Sequence, residues 1–344
     1  MEYIGIDVHK NQSQICILTE AGDFIEKRIR TEGKRFEEVL GGRAKAKVLI
    51  EASTESEWVA RCLEELGHEV IVGDPNYAPM YAERSRRVKT DRRDARALAT
   101  ACRLGAYRVA HRTSDEQRHV RGLLSVREAL VRTRVRYISL VRALLRKQGY
   151  RLRSGAAHTL IRRVEELEIP LELREEIAPV LRVMGNLNEE ITTSNRELEK
   201  QSKLDERVER LMSAPGVGVL TATSFVATVD RVERFESAHQ LESYLGLVPR
   251  EWSSAEKQQR GAITKQGQGR MRWLLVEAAW SILRDDDSDG APLRRWAQRI
   301  EARRGKRVAV VALARRVAGI LYAMWRDGKE YDARLIGEKG RQAA

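Results

Sequence analysis

Long apolar runs are missing from this sequence. No stretch of its 344 residues approaches the roughly 20 consecutive apolar positions that a membrane-spanning helix needs. The N-terminus runs straight into a strand pattern, without the charged-then-apolar order of a secretory leader. Cysteine is scarce as well. Cys16, Cys62 and Cys102 are widely spaced and odd in number, so they suggest neither a metal site nor a disulfide framework. These absences point to a reduced, cytoplasmic protein with no membrane partner. Aromatic residues make up only 6% of the chain, which argues against base stacking as the main mode of holding a single strand. No low-complexity tract or periodic repeat is visible.

The most local deficit is in acid. From Arg118 to Arg153 there are 11 Lys or Arg residues and one acid, Glu128. That excess nearly equals the formal charge of the whole chain, +13, from 63 Lys plus Arg against 50 Asp plus Glu. Charge gathered in this way suits a polyanion. Nucleic acid is the commonest, and an anionic membrane surface is the alternative. Arg118, Arg121, Arg127, Arg132, Arg134, Arg136, Arg142 and Arg146 form a stripe of the residue type preferred for bidentate phosphate contact. A charged helix face is often only solvated, but here the near absence of opposite charge favours a bound partner. Composition does not distinguish RNA from DNA.

"YIGIDVHK", "SQICILTE" and "DFIEKRIR" read as three short strands separated by turns at Asn11 and Gly22. "KRFEEVL" then reads as a helix, "AKVLIEAS" as a buried strand, "ESEWVARCLEELG" as a helix and "HEVIVGDP" as a further strand. Three antiparallel strands followed by alternating helix and strand is the order of a ribonuclease-H-like α/β domain, and residues 91–104 add a helix to it. The middle is helical. Residues 115–148 carry Leu124, Val131, Val135, Ile138, Val141 and Leu145 at helical spacing, and residues 160–212 continue with interruptions near Pro170 and Pro179. Leu187, Ile191, Leu198, Val208 and Met212 make loose heptads, so an antiparallel hairpin or coiled coil that also joins subunits is expected. A second globular part begins at "SAPGVGVLTATSFVATV" and ends in a helix near residues 306–326.

Asp7 closes the first strand pattern and Glu51 closes the strand "KVLIE". Asp91 and Asp94, three apart, share one face of a helix. Strand-end carboxylates joined by a helix-borne pair are what a two-metal site requires. Mg²⁺ or Mn²⁺ takes oxygen ligands, and two such ions clamp the attacking and leaving oxygens of a phosphodiester. Arg86, Arg87, Lys89, Arg92 and Arg93 would then face phosphate rather than balance the acids. Taken alone, Asp91 reads equally well as a helix N-cap. His9, two residues after Asp7 on the same side of the strand, reads as an ordinary strand histidine ahead of a group supporting the carboxylates, and "DDDSDG" (285–290) reads as an acidic loop ending a helix, without the spaced ligands of a calcium loop.

In this order, "YIGIDVHK", "LIEAS" and "VKTDRRDARALA", followed by "PGVGVLTATSF", "YLGLVPREWSS" and "GAITKQGQGRMRWLLVEAA", resemble the DEDD transposases of bacterial insertion sequences over nearly the whole chain. The resemblance implies α/β plus all-α architecture. A RuvC-like DEDD domain spans 1–110, and a helical or coiled-coil segment, basic then acidic, spans 111–210. A mainly helical transposase domain spans 211–330, and 331–344 form a tail. It further implies Asp7, Glu51, Asp91 and Asp94 as the DEDD set holding Mg²⁺ or Mn²⁺. It implies a nucleophilic serine, Ser253 or Ser254, although "WSSAEK" places Ala255 and Glu256 where relatives usually carry glycines. A structured guide RNA that pairs with donor and target DNA belongs to the same expectation.

"APGVG" at 214–218 reads as the turn of a helix-hairpin-helix element whose amides, at Gly216 and Gly218, meet phosphate. Lys265, Arg270 and Arg272 in "KQGQGRMR" add charge near the serines. Cutting and rejoining at two sites needs several active sites, hence a dimer or tetramer. Two other readings stay open: a metal-dependent nuclease of the junction-resolving kind, which forms no covalent intermediate, and a non-catalytic packaging protein, which charge alone would allow.

Overall fold

Period-two alternation in the first 30 residues gives β1 (Tyr3–Val8), β2 (Gln12–Leu18) and β3 (Phe24–Arg30), an antiparallel meander. The computed structural model describes residues 1–82, 90–254 and 257–335, with 253, 254 and 257–260 described by backbone alone. Arg86, Arg87, Lys89, Ala255 and Glu256 lie outside the described residues. The chain divides into two compact units, Met1–Thr113 and Ser114–Ala344.

In the first unit, α1 (Gly33–Leu40), β4 (Lys47–Glu51), α2 (Ser56–Glu65) and β5 (Glu69–Gly73) follow the meander. The five strands lie in the order β3-β2-β1-β4-β5, with β4 parallel to both β1 and β5. One face of the sheet, through Ile4, Ile6, Ile15 and Ile50, packs on Phe36 and Leu40 of α1 and Val59 and Leu63 of α2. The opposite face receives α3 (Asp91–Leu104), where Leu98 meets Leu49 and Ala95 meets Cys16.

Gly5 sets how closely α3 can lie. A β-carbon at that position would come within 2.2 Å of the Ala95 carbonyl oxygen and the Ala99 nitrogen, so the helix rests on the bare backbone of β1. Asp7, one alternation further along the same face, is thereby brought under the first turn of α3. Thr90 caps that helix, its hydroxyl accepting from the Arg93 N–H at 3.3 Å. Asp91 is therefore the first helical residue and not the N-cap.

The second unit opens with α4 (Asp115–Lys147). Past a short helix, α5 (Leu160–Glu165), it folds back as α6 (Leu171–Ser202). The pairing is antiparallel: Leu145 and Val141 pack with Ile177 and Leu173, Arg134 meets Asn188, and Arg127 meets Asn195. Three sequence expectations need correction here. Pro179 does not interrupt α6; it faces solvent, while Leu173, Ile177 and Met184 bury the opposite side and hold the helix through one missing hydrogen bond. The heptads do not run on to Met212, because α6 ends at Ser202 and Asp205 caps a separate α7 (Glu206–Met212). Val135, expected in the apolar stripe, is 52% exposed.

The rest of this unit packs around α8 (Val219–Val229), in which every residue from Thr221 onward is buried. Around it stand α9 (Ala238–Tyr244), α10 (Gly269–Arg284), α11 (Ala291–Arg304) and α12 (Lys306–Asp327), with a two-stranded hairpin of β6 (Pro249–Ser254) and β7 (Lys257–Ile263). By length and composition α12 could cross a membrane, contrary to the sequence expectation. It owes its apolar character to the core instead: half of its apolar window is buried, and Leu313, Val317 and Leu321 pack against the other helices. The start of α4 is fixed to the end of α8. Asp230 accepts from the Ser114 amide at 3.1 Å and its hydroxyl at 2.6 Å, and Arg121 donates to the Ala227 and Thr228 carbonyls.

Candidate active site

Parallel strands β1 and β4 end side by side and present Asp7 and Glu51 at the same edge. The first turn of α3 lays Asp91 and Asp94 across that edge. Asp7 and Asp94 are buried, and Glu51 and Asp91 are half-buried. The Tyr81 hydroxyl, from a 3-10 turn at Ala78–Tyr81, donates to Glu51. Arg28 of β3 approaches Asp91 to 3.7 Å.

The four carboxylates share one field. Burial pushes the Asp7 carboxyl above its ordinary pKa; the His9 ring opposes this, and Asp94, Asp91 and Glu51 add to it. Tyr81 is raised in turn by burial, by its bond to Glu51, and by the charges of Glu51, Asp94 and Asp7. A buried carboxyl pushed upward by three neighbouring carboxylates would gain from a cation beside it, and an oxygen-rich donor set of this kind fits a hard divalent ion.

His9 was undervalued by sequence reasoning. It stands just past β1, with Nε2 3.2 Å from Asp7 Oδ2 and 3.5 Å from Asp91 Oδ1. One ligand-capable atom from each of Asp7, His9 and Asp91 lies within 4.8 Å of the others. The signal was available in the i, i+2 spacing from Asp7, but it becomes legible only once α3 is known to cross there.

The serine segment is a strand end, inside a region expected to be mainly helical. Ser253 pairs with Gln258 and Ser254 with Lys257 in the β6–β7 ladder. The base of this hairpin is interlocked. Gly246 (φ +70°) and Gly267 (φ +69°) adopt left-handed backbone, and a β-carbon on either would come within 2.1 Å of a carbonyl oxygen, that of Gln266 or Tyr244. Arg272 reinforces the contact by donating to the Leu245 and Gly267 carbonyls at 3.1 Å each, and also to that of Gln266. The paired glycines of "YLGL" and "KQGQG" thus hold two loops together.

Comparison with known proteins decides the family. Residues 4–148 match the transposase family DEDD_Tnp_IS110, and residues 208–291 match the transposase IS116/IS110/IS902 family. A probable family 20 transposase of Pseudomonas aeruginosa is 30% identical, over 80% of this chain and 83% of its own length. The transposase for insertion sequence element IS1111A of Coxiella burnetii is 29% identical, over 94% and 89%. The corresponding protein of IS1328 from Yersinia enterocolitica is 28% identical, over 94% and 97%. The chain belongs to the IS116/IS110/IS902 transposase family. It is an insertion-sequence transposase, an enzyme of DNA cleavage and rejoining.

The basic residues of this transposase fall into two groups. Arg121 is held on the end of α8, Arg127 donates to Asn195 Oδ1 at 2.6 Å and Arg134 to Asn188 Oδ1 at 3.0 Å, so these three guanidiniums serve helix packing. Burial lowers the pKa of all three. Arg118 is ion-paired with Asp115 and Arg142 is half-buried, whereas Arg132, Arg136 and Arg146 are exposed. Glu128, the lone acid of the segment, bonds both Arg132 and Arg270, and so docks α10 on α4. Arg272 is occupied by the loop carbonyls, while Lys265, Gly216 and Gly218 are exposed. Near the carboxylates, Arg92 pairs with Glu26 of β3, so it does balance an acid; Arg93 is exposed at the surface.

Proposed function

We propose that this transposase cuts and rejoins donor and target DNA through a serine hydroxyl, Ser253 or Ser254, assisted by divalent cations held by Asp7, Glu51, Asp91 and Asp94. The observation that carries the reading is that Asp94, Asp91 and Glu51 lie close enough to the buried Asp7 for each to push its pKa upward. Mg²⁺ or Mn²⁺ bound there would take up negative charge on the scissile phosphate and the departing oxygen. The strand order β3-β2-β1-β4-β5, with α3 across the carboxylate edge, supports an RNase-H/RuvC-like domain. His9 is placed to hold Asp7 and Asp91 in register, and its imidazole keeps Mn²⁺ among the candidates.

The serine Oγ attacks phosphorus, the Oγ–P bond forms as the P–O bond to deoxyribose breaks, and the departing oxygen takes up the proton that Oγ releases. The 5′- or 3′-phosphoseryl link conserves the bond for rejoining. In this scheme 1–110 carries the carboxylates and 211–330 the serine, followed by the tail 331–344. The helical hairpin of 111–210 joins a dimer or tetramer. Exposed Arg132, Arg136, Arg146 and Lys265, and the amides at Gly216 and Gly218, face the phosphates of DNA and of a structured guide RNA.

A denaturing gel of protein with cleaved DNA tests the serine. The double variant Ser253→Ala/Ser254→Ala is expected to give no covalent protein–DNA product and no strand exchange. One observation favours a metal-dependent nuclease instead: all four carboxylates come from a single unit, so cleavage could proceed without the serine. In that case the double variant still cuts and leaves free ends. Sequencing of co-purified nucleic acid tests the guide, where a single discrete RNA is expected and a random mixture removes it.

A further inference from the structure

We propose that Trp252 and the groove adjoining the β6–β7 hairpin form a site for an unpaired deoxynucleotide beside the cut, its base on the indole and its phosphates on Arg303, Arg304 and Arg307. The proposal takes its place in the reaction from the serine reading above, since Trp252 directly precedes Ser253. Its test does not depend on that reading.

Trp252 is 60% exposed although it is the largest apolar side chain of the hairpin. Its register partner is Gln259, and Gly261 lies two residues further along the same face of β7. The outer edge of the indole abuts Gly261: a β-carbon there would come within 2.7 Å of Cζ3. Glycine at 261 therefore lets the ring edge close on strand backbone, and with Trp252 60% exposed the indole keeps aromatic surface open to solvent. An aromatic ring held this way is what a splayed base stacks on, and any base will serve. One such platform is compatible with a chain poor in aromatics.

Gly261 also borders an open groove of about 660 Å³. Its apolar wall includes Leu247, Ile263, Ile300 and Val308, and its rim carries Arg303, Arg304 and Arg307. These arginines flank the turn at Gly305 between α11 and α12. No carboxylate among the described residues pairs with Arg304 or Arg307, and the sequence has no acid from 302 to 326. Arg307 sits in the first turn of α12, where the helix dipole disfavours a cation. An apolar floor beneath an uncompensated cationic rim complements a nucleotide, with flat apolar faces on the base and negative charge on the phosphate.

The test uses full-length protein and a short labelled single-stranded oligodeoxynucleotide, either intact or with one abasic residue placed at each position in turn, read by fluorescence anisotropy. Trp252→Ala is expected to weaken binding of the intact strand about five- to a hundred-fold, the range of base–aromatic stacking, while Trp252→Phe retains most of the affinity. One abasic position should weaken the wild type and not Trp252→Ala. The double variant Arg304→Gln/Arg307→Gln should flatten the dependence of log K on log salt by about 1.4, whereas the control Arg35→Gln on α1 leaves it unchanged. Equal binding by Trp252→Ala and wild type, or the same abasic penalty in both, overturns the proposal. So does an unchanged salt slope in the double arginine variant accompanied by a change in oligomeric state, which would make the groove a protein contact. If these binding results hold while the serine double variant still cleaves, only the serine reading fails.

Discussion

The carboxylates of the first unit and the arginines of α4 are both clusters of like charge, and they are held in opposite ways. Around Asp7 three other acids push its pKa upward, His9 offsets part of that push, and Arg28 approaches Asp91 to 3.7 Å. Along α4 several of the charges are met one at a time, Arg121 by carbonyls of α8, Arg127 and Arg134 by asparagines of α6, and Arg132 by Glu128, while Arg136 and Arg146 stay exposed. The two clusters look alike in composition. What separates a ligand site from architecture is whether the protein itself supplies the opposite partner.

The largest effect expected from this contrast is on catalysis. Asp94→Asn and Asp91→Asn each remove a charge from the carboxylate cluster, and each should lower DNA strand cleavage by about a thousand-fold or more, the scale of metal-assisted charge stabilisation. Cleavage of a labelled donor substrate under single-turnover conditions reads this directly. Near-normal rates in both variants would reduce the cluster to a structural feature. A second route to the same site leaves every carboxylate intact. Gly5→Ala places a methyl where the Ala95 carbonyl and Ala99 amide lie, so α3 must lift from β1. That overpacking should cost about 1–3 kcal/mol in a denaturant melt and separate Asp91 and Asp94 from Asp7, with activity falling more than stability alone accounts for.

Much of the first unit was legible in the sequence, because alternation, β-branched runs and strand-end acids are local signals. α3 matches the expected 91–104 span for the same reason: Thr90 starts it and Gly105, in left-handed backbone, ends it. The role of Gly5 was not legible, since close approach of a helix depends on a partner some 90 residues away in sequence. The same holds for His9. On α4 the sequence reveals charge but not direction, and Arg127 and Arg132 look alike until the register with α6 is known. Pro179 misled for a related reason. A proline is a breaker in isolation, but on the exposed side of a helix whose other face is buried it is tolerated.

A smaller effect concerns metal-free stability. A carboxyl whose native pKa lies above its unfolded value binds more protons folded than unfolded across the interval between them. Stability contributed at Asp7 is therefore present at low pH and lost as pH rises from the ordinary carboxylate value through the raised native one. In chelator, Asp7→Asn should melt at a higher temperature than wild type at neutral pH, with the gap closing below the ordinary carboxylate pKa. Added Mg²⁺ or Mn²⁺ should raise the wild type and leave the variant behind. A variant that melts lower than wild type in chelator would mean that Asp7 is already compensated by the protein.

The finest test sets two arginines of one helix against each other. Arg127 is half-buried and donates to the half-buried Asn195, so Arg127→Met leaves that acceptor without its partner and should cost about 1 kcal/mol in stability while leaving the salt dependence of DNA binding unchanged. Arg132, at 77% side-chain exposure, has a partner too, but an exposed pair four residues along a helix contributes only about 0.3–0.5 kcal/mol. Arg132→Met should therefore leave the melt nearly unmoved and lower the slope of log K against log salt on duplex DNA by about 0.9, one phosphate contact. The pair separates two meanings of compensation. Glu128 meets Arg132 in a geometric sense, but water screens that bond, and the guanidinium remains available to phosphate; Asn195 carries no charge, yet burial commits Arg127 to it. If the two variants shift stability and salt slope alike, exposure is not what divides the stripe, and the partner atoms alone would have to explain it.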